Sequence, residues 1–389
     1  MSAPGSNPPK ATEITAGYRA LPGKGQQDRL RKLRVRPEQG DAPPWDANTP
    51  FTTVGTDVDR QDGLQKASGR AKYAFDINLP GMQQAMILRA SIARGRLTAL
   101  DLDEARAMPG ISAVVQLKDV GSRVRFVGDA IAAVSGETLD LVRDAIEKIR
   151  AEYAAETHNV DFLMDEHAPL LDADGAVDEE WPADDDIEAA LAGAKQRHDA
   201  TYRTEVQTHS SLETHGHVCR WRGNDLEVWA STQATFGVQH ELGRALRARN
   251  IQVDSVDVHA EFVGGGFGSK FSAGVEGLAC AWLAHEAGRP VKLMLDRFEE
   301  HTTAGNRPSA LMQVRGGIDA NGKLVAWDWR SFGGCGFNGR GGAVRYPNYY
   351  LGGAKVRRSH KDIACDTDPA RSTRAPGCPQ GWFGAELFL

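Results

Sequence analysis

The run Glu261-Phe262-Val263-Gly264-Gly265-Gly266-Phe267-Gly268-Ser269-Lys270-Phe271 constrains this chain more than any other stretch. Four glycines in five positions do not form the interior of a helix or strand, where each costs backbone entropy. The residues before it, SVDVHAEFV, alternate like a strand. Those after it, from about Ala273 to Ala287, carry a helical pattern. Strand, glycine loop and helix in that order bring backbone N–H groups close to a ligand. The helix end adds unpaired donors and favours an anion. The competing reading is a tight turn under a packed sheet. The run is not a P-loop, because Gly-Ser-Lys-Phe stands where Gly-Lys-Ser/Thr is needed. Nor is it GxGxxG, since Ser269 or Phe271 takes the third glycine's place. A true GxGxxG, Gly334, Gly336 and Gly339, follows a strand pattern. The stretch after it, RGGAVRYPNYYLGG, is turn-rich, whereas a dinucleotide site needs a helix there.

The glycine excess is real: 42 of 389 residues, about 11% against a usual value near 7%. The length suggests two or three domains. Residues 1–50 hold eight prolines and a basic stretch from Arg29 to Arg36, and read as an extended basic arm. Residues 51–160 read as a small α/β unit. They contain strand–turn–strand over 69–93, a short helix from Leu100 to Met108 and a helix from about Glu137 to Ala154. Residues 161–199 are strongly acidic and read as a linker. Residues 200–389 read as a second domain. Its expected elements are a hairpin turning at Arg222–Asp225, a helix from about Thr235 to Ala248, and a second hairpin around Asn321-Gly322.

Composition excludes several classes. No apolar run of 18 residues exists, so no transmembrane helix is expected. Residues 1–50 show no apolar h-region and no twin arginine, so no export signal of its own is expected. The net charge, 46 − 52 = −6, argues against nucleic acid as partner. The five cysteines, Cys219, Cys280, Cys335, Cys365 and Cys378, form no CxxC pair, which argues against an iron–sulfur or structural zinc site. They read as buried or free thiols in a reducing compartment.

Three smaller features remain. His215 and His217 form His-x-His without an identifiable third ligand, and read as core or surface histidines. Ser231-Thr232-Gln233 ends a strand before a helix. Capping explains the hydroxyls but not Gln233. Arg374-Ala375-Pro376-Gly377-Cys378-Pro379-Gln380 is a rigid loop before a helix. Its arginine either binds an anion or lies on the surface before a turn.

Together these motifs resemble the molybdenum-binding subunit of the xanthine dehydrogenase/aldehyde oxidase family. The marks are Ser-Thr-Gln (231–233), GGGFG (264–268) and Arg-Ala-x-Gly-x-Pro-Gln (374–380), in that order. LETHGHVCRW is similar to the family's Met-Glu-Pro-His segment, and residues 91–115 resemble its aldehyde-oxidising bacterial branch. The resemblance runs from about residue 52 to the last residue. It implies an α+β fold: a small α/β hammerhead-like domain followed by a mixed α+β molybdopterin-binding domain.

By resemblance, the chain would take part in hydroxylating an aldehyde or aromatic heterocycle with water-derived oxygen. The cofactor would be molybdenum–molybdopterin, the cytosine dinucleotide form included. Gly265, Gly266 and Gly268 would cradle it. Gln233, Phe267 and Arg374 would lie at the metal. Phe271 stands where purine-oxidising members carry a glutamate, which favours an aldehyde or aromatic substrate.

The family's catalytic base, a glutamate in Gly-Val-Gly-Glu, has no match. Gly274-Val275-Glu276 reads as helix surface. The chain therefore resembles the N-terminal half of such a subunit, split or truncated. A second polypeptide would supply the base and pack against Trp382, Phe383, Leu387, Phe388 and Leu389. Iron–sulfur and FAD subunits would carry electrons away. The expected location is cytoplasmic, or periplasmic by co-export with a signal-bearing partner. A non-catalytic scaffold and an unrelated nucleotide-binding protein are the alternatives.

Overall fold

The computed structural model describes residues 50–160, 178–180, 186–338, 341–347, 349 and 351–389. The expected basic arm and most of the acidic stretch lie outside these residues. By compactness the chain divides into residues 1–64 and 65–389. The described part of the first unit contains turns such as Thr53–Thr56, closed by the Thr56 amide on the Thr53 carbonyl.

The elements run as follows. The N-terminal region holds helix α1 (Gly63–Ala67), strands β1 (Gln83–Arg89) and β2 (Gly95–Asp101), and helix α2 (Asp103–Arg106). Strands β3 (Ile111–Gln116), β4 (Arg123–Val124) and β5 (Ala130–Gly136), helix α3 (Leu139–Lys148) and strand β6 (Arg150–Ala155) follow. The next region has β7 (Asp178–Glu180), α4 (Ile187–Gly193), β8 (Gln196–Thr204), β9 (Gln207–Thr208), β10 (Gly216–Arg222), β11 (Asp225–Ala230) and α5 (Thr235–Ala248). Then come β12 (Ser255–His259), α6 (Gly274–Ala287), β13 (Val291–Met294) and α7 (Arg297–Thr302). The last are β14 (Asn306–Arg307), β15 (Ala310–Ile318), β16 (Leu324–Gly334), β17 (Lys355–Ile363) and α8 (Cys378–Phe388).

The two expected α/β regions share one sheet. Its seven strands run β12-β11-β10-β13-β1-β5-β3. The seam is the parallel pair β1–β13, in register Gln83↔Val291 to Ala85↔Leu293. Strand side chains alternate between faces. On one face Ala85, Ile87, Ala113, Val115 and Ala133 join the core of Leu242, Leu246, Cys280 and Leu283 from α5 and α6. On the other, Val114, Ala132 and Val134 pack on Val142 and Ala145 of α3. Covered on both sides, β5 is buried along its whole length. A second sheet, β7-β17-β16-β15-β8, packs Trp327, Trp329, Met312 and Val314 under α8. Strands β4, β2 and β6 form a third sheet.

Several local readings are corrected. Residues 69–93 form one strand, not two, because side chains hold the backbone around Phe75: its amide donates to Glu213 and its carbonyl accepts from Lys292. The helix expected to reach Ala154 ends at Lys148. Arg150–Ala155 instead pairs with β2, where Ala151 and Tyr153 pack beside Leu97. The helix expected from Leu100 covers only Asp103–Arg106, since 95–101 is strand. The strand expected to run to Val263 ends at His259. Within the expected linker, 187–193 is helix and 196–204 strand. At the C-terminal end, Phe388 packs edge-on against Trp327 and Trp382 against Tyr349, while Phe383, Leu387 and Leu389 are exposed.

A continuous sheet makes the two regions unfold together. Truncating Leu293 beside the seam, Leu293→Ala, should cost about 2–5 kcal/mol in urea unfolding. One transition should be seen by both the far-ultraviolet and tryptophan signals. Two separated transitions would contradict the shared sheet.

Candidate functional site

Topology gathers the motifs. β11 and β12 are parallel, and β10 runs antiparallel to both β11 and β13. The loops before β10, after β11, after β12 and after β13 therefore all emerge at one edge. They carry Glu213, Gln233, the glycine loop and Glu300 respectively.

A buried polar network joins the first three. The Lys270 side chain is fully buried and donates to the Glu213 carbonyl (2.7 Å), Ser231 Oγ (2.6 Å) and the Thr214 carbonyl (3.4 Å). The Glu213 carboxylate accepts from the Gly264 amide (2.8 Å), Ser231 Oγ (2.9 Å) and the Phe75 amide (3.2 Å). An added Cβ at Gly264 would lie 2.4 Å from Glu213 Cβ, so only glycine fits there. Burial lowers the Lys270 pKa, while Glu213 and Glu300 pull it back up. With its three donors occupied, Lys270 is not a phosphate ligand, in keeping with a run that is not a P-loop.

Gln233 is locked by the loop it faces. Its Oε1 accepts from the Gly268 amide at 2.8 Å and its own amide donates to the Lys270 carbonyl at 2.8 Å. An N–H can only donate, so the side-chain oxygen is assigned and the NH2 group stays available. A Cβ at Gly266 would meet the Gln233 side chain at 2.5 Å. Phe267 has φ +52, a conformation that L side chains rarely adopt, and its ring is half exposed. Gly265 (φ +100) and Gly268 (φ +112) also need left-handed backbone.

The Arg374 loop closes on the same residues. The Arg374 amide donates to the Phe267 carbonyl at 2.8 Å. The Ser372 carbonyl would lie 2.4 Å from a Cβ at Gly268. Arg307 in β14 donates to the Arg374 carbonyl (2.6 Å) and the Ala375 carbonyl (3.4 Å). Ala375 is held at φ +55. The main chain is thus clamped, while the exposed Arg374 guanidinium has no hydrogen bond or ion pair among the described residues. Phe267, Thr373 and Arg374 line an open cleft of about 530 Å³ with Gln207, Thr208 and His209.

All six sequence-derived candidates therefore meet here: Gln233, Gly265, Gly266, Phe267, Gly268 and Arg374. One expectation changes. Helix α6 begins at Gly274, six residues beyond Gly268, and Glu241 already accepts the Ala273 amide at 2.6 Å. The helix end therefore lies away from the glycine loop and adds no free donors to it. Glu276, expected on the helix surface, is buried. The second glycine run does not make a dinucleotide site: Gly336 packs against Asp368 and Pro369, and the next described element is strand β17, not a helix. Glu213, Lys270, Arg307 and His209 were not named as site candidates, although Glu213 lies in the LETH segment and Lys270 in the glycine run. Ser231, read as a helix cap, instead bonds Glu213 and Lys270.

The His-x-His pair is buried. His215 Nδ1 lies 2.8 Å from Glu300 Oε2, which also accepts the His215 amide. Burial raises the Glu300 pKa, but the His215 hydrogen bonds outweigh it and the net shift is down. Among the described residues His217 has no hydrogen-bond partner on either ring nitrogen, and burial lowers its pKa to about 4.

Two outcomes follow. Gly268→Ala adds a Cβ in a close-packed, left-handed position and should cost about 1–3 kcal/mol in urea unfolding. Gly322→Ala, also left-handed (φ +76) but in open space, should cost at most about 1 kcal/mol. Equal costs would refute the close approach. The folded state disfavours protonated His217, whereas the unfolded chain binds that proton near pH 6.5. The stability is thus present above pH 6.5 and lost as the pH falls towards 4, by about 3 kcal/mol at most. His217→Leu should flatten that part of the melting profile; an unchanged profile would disprove the assignment.

Comparison with known proteins gives the family and the fold. Residues 172–389, more than half of the chain, match the family model of the molybdopterin cofactor-binding domain. Residues 68–123 match that of the aldehyde oxidase and xanthine dehydrogenase a/b hammerhead domain. The aldehyde oxidoreductase molybdenum-binding subunit PaoC of Escherichia coli (strain K12) is 30% identical over 356 residues, 86% of this chain and 48% of that protein. The chain thus spans about half the length of that relative. The nicotinate dehydrogenase large molybdopterin subunit of Eubacterium barkeri is 29% identical over 307 residues, 74% of this chain and 71% of that subunit. The aldehyde oxidoreductase of Desulfovibrio gigas superposes with a TM-score of 0.70 at 19% identity, over 83% of this chain and 40% of that structure, which shows a common fold. With its glycine loop, its Gln233 turn and its Arg374 loop in one place, the chain belongs to the molybdopterin-binding family of aldehyde oxidases and xanthine dehydrogenases.

Proposed function

We propose that this chain forms the part of a molybdenum hydroxylase that holds the molybdopterin cofactor, in an enzyme that oxidises an aldehyde or aromatic heterocycle. One observation carries the reading. Two polar donors with no hydrogen-bond partner among the described residues, the Arg374 guanidinium and the Gln233 NH2, are brought to the same loop: the Gly268 amide holds Gln233 Oε1, and the Arg374 main chain is bound to the Phe267 carbonyl. Donors gathered in one place without protein partners suit an oxygen-rich, anionic group.

The residues fit such a group. Gly265, Gly266 and Gly268 let the loop close on Phe267, Gln233 and Ser372, where a Cβ would clash, and so bring the Gln233 and Arg374 segments to the place where the cofactor would lie. The bound cofactor supplies the two-electron redox chemistry. Gln233 would donate its amide hydrogens to an oxygen of the cofactor. Arg374 would stabilise negative charge as it develops nearby. Phe271, half exposed, presents an aromatic ring where a purine-reading carboxylate would otherwise be. That supports aldehydes or aromatic rings over xanthine.

The carboxylates beside the loop do not serve as the base. Glu213 accepts three hydrogen bonds and Glu300 is committed to His215. The base glutamate belongs to a second polypeptide stretch, and a partner carrying Gly-Val-Gly-Glu would supply it. Iron–sulfur and FAD subunits complete the electron path, and the cofactor is the plain or the cytosine dinucleotide form. No described helix is long and apolar enough to cross a membrane. The cytoplasm is the proposed compartment, with co-export to the periplasm as the second reading.

Co-expression with the neighbouring genes should yield a complex containing molybdenum that oxidises aromatic aldehydes faster than xanthine. Arg374→Ala and Gln233→Ala should each lower kcat/KM by roughly 10²–10³-fold. A metal-free wild-type complex would favour the scaffold alternative, and preference for xanthine would overturn the substrate class.

A further inference from the structure

We infer that His209 is a positioning residue: its imidazole holds the Arg374 loop against the glycine loop and so sets the two free donors of the site. The inference rests on the function proposed above.

His209 follows β9, which pairs with β14 in register Thr208↔Asn306. The Asn306 carbonyl in turn accepts the Arg371 amide at 3.0 Å. The ring is buried at 8% exposure and forms one wall of the cleft that Phe267 and Arg374 line. Its Nε2 lies 2.9 Å from the Ser372 carbonyl and 2.8 Å from Thr373 Oγ1. A carbonyl only accepts, so Nε2 carries the hydrogen. The Thr373 hydroxyl donates to the Arg371 carbonyl at 3.4 Å, which leaves its oxygen to accept from the same N–H. Burial lowers the His209 pKa, so the ring is neutral and adds no charge beside the guanidinium.

The Ser372 carbonyl is the point of leverage. On one side it takes the His209 hydrogen. On the other it rests against Gly268, where a Cβ would come within 2.4 Å. The Gly268 amide holds Gln233, and the next loop residue but one, Arg374, binds the Phe267 carbonyl. Arg307 clamps the Arg374 carbonyl from the β14 side, so His209 supplies the restraint that Arg307 does not reach. Loss of the imidazole frees Ser372 to move away from Gly268. The Gly268 amide that holds Gln233 and the main chain that carries Arg374 then lose their fixed placement, although neither side chain touches His209.

Glutamine places an amide nitrogen the same number of bonds from Cα as histidine's Nε2; asparagine falls one bond short. The test compares His209→Gln, His209→Asn and His209→Leu in the full chain purified with its partners. Hydrogen exchange of the peptide spanning Arg371–Ala375 reads the loop whether or not cofactor is bound. His209→Leu and His209→Asn should speed that exchange about tenfold, the effect of losing one hydrogen bond. They should lower kcat by roughly tenfold or more, with KM changed less than about threefold. His209→Gln should restore both. If His209→Leu fails to accumulate, the Gln and Asn pair decides alone. Equal behaviour of Gln and Asn, or unchanged exchange in either short variant, overturns the proposal. An inactive, metal-free wild type with the exchange pattern intact would instead count against the function proposed above.

Discussion

A buried ammonium group organises the site edge of this protein. Lys270 has no access to water, and a buried charge is costly unless every donor is satisfied. Its three partners, the Glu213 and Thr214 carbonyls and Ser231 Oγ, come from the two strand ends flanking the glycine loop. The Glu213 carboxylate closes the ring by taking the Gly264 amide and the same serine. Any shift of the loop would strip partners from groups that water cannot reach. The loop therefore has one position, and Gln233, held by the Gly268 amide, and the Arg374 main chain, bound to the Phe267 carbonyl, are placed by it.

The sheet makes the network possible. Four consecutive strands meet so that the loops before β10 and after β11, β12 and β13 share one edge. The seam with β1 extends the same sheet into the N-terminal region and buries β5 on both faces. Stability and site geometry thus draw on one core. The Phe75 amide is held by Glu213, so even the N-terminal region touches the network.

The chemistry of the site is one of unused donors. Protein interiors pair nearly all their polar groups, and the main chain around Arg374 obeys that rule at Phe267, Arg307 and His209. The Arg374 guanidinium and the Gln233 NH2 do not, and both lie at the surface. Two donors free of protein partners and gathered at one loop suit a ligand rich in acceptors, which is why they carry the functional reading.

Much of this was legible in the residues. The hairpin at Arg222–Asp225, the helix over Thr235–Ala248 and the hairpin at Asn321-Gly322 follow from turn chemistry and periodicity, and the structure has all three. The motifs named Gln233, the glycines, Phe267 and Arg374. Local pattern failed where distant partners decided: Arg150–Ala155 reads as helix until β2 pairs with it, and the Phe75 segment reads as strand until Glu213 and Lys292 claim its backbone. Glu276 reads as surface because its helix position says nothing about what packs over it. The sequence by itself determined the chemical kind of site: glycines for close approach, an amide and a guanidinium as donors, no phosphate loop. Only the tertiary structure decided which donors are free and which are spent. Lys270 and Arg374 are both cations beside the same loop, and only contacts 39 and 67 residues away in the chain show that one is buried in hydrogen bonds and the other clamped by its backbone alone.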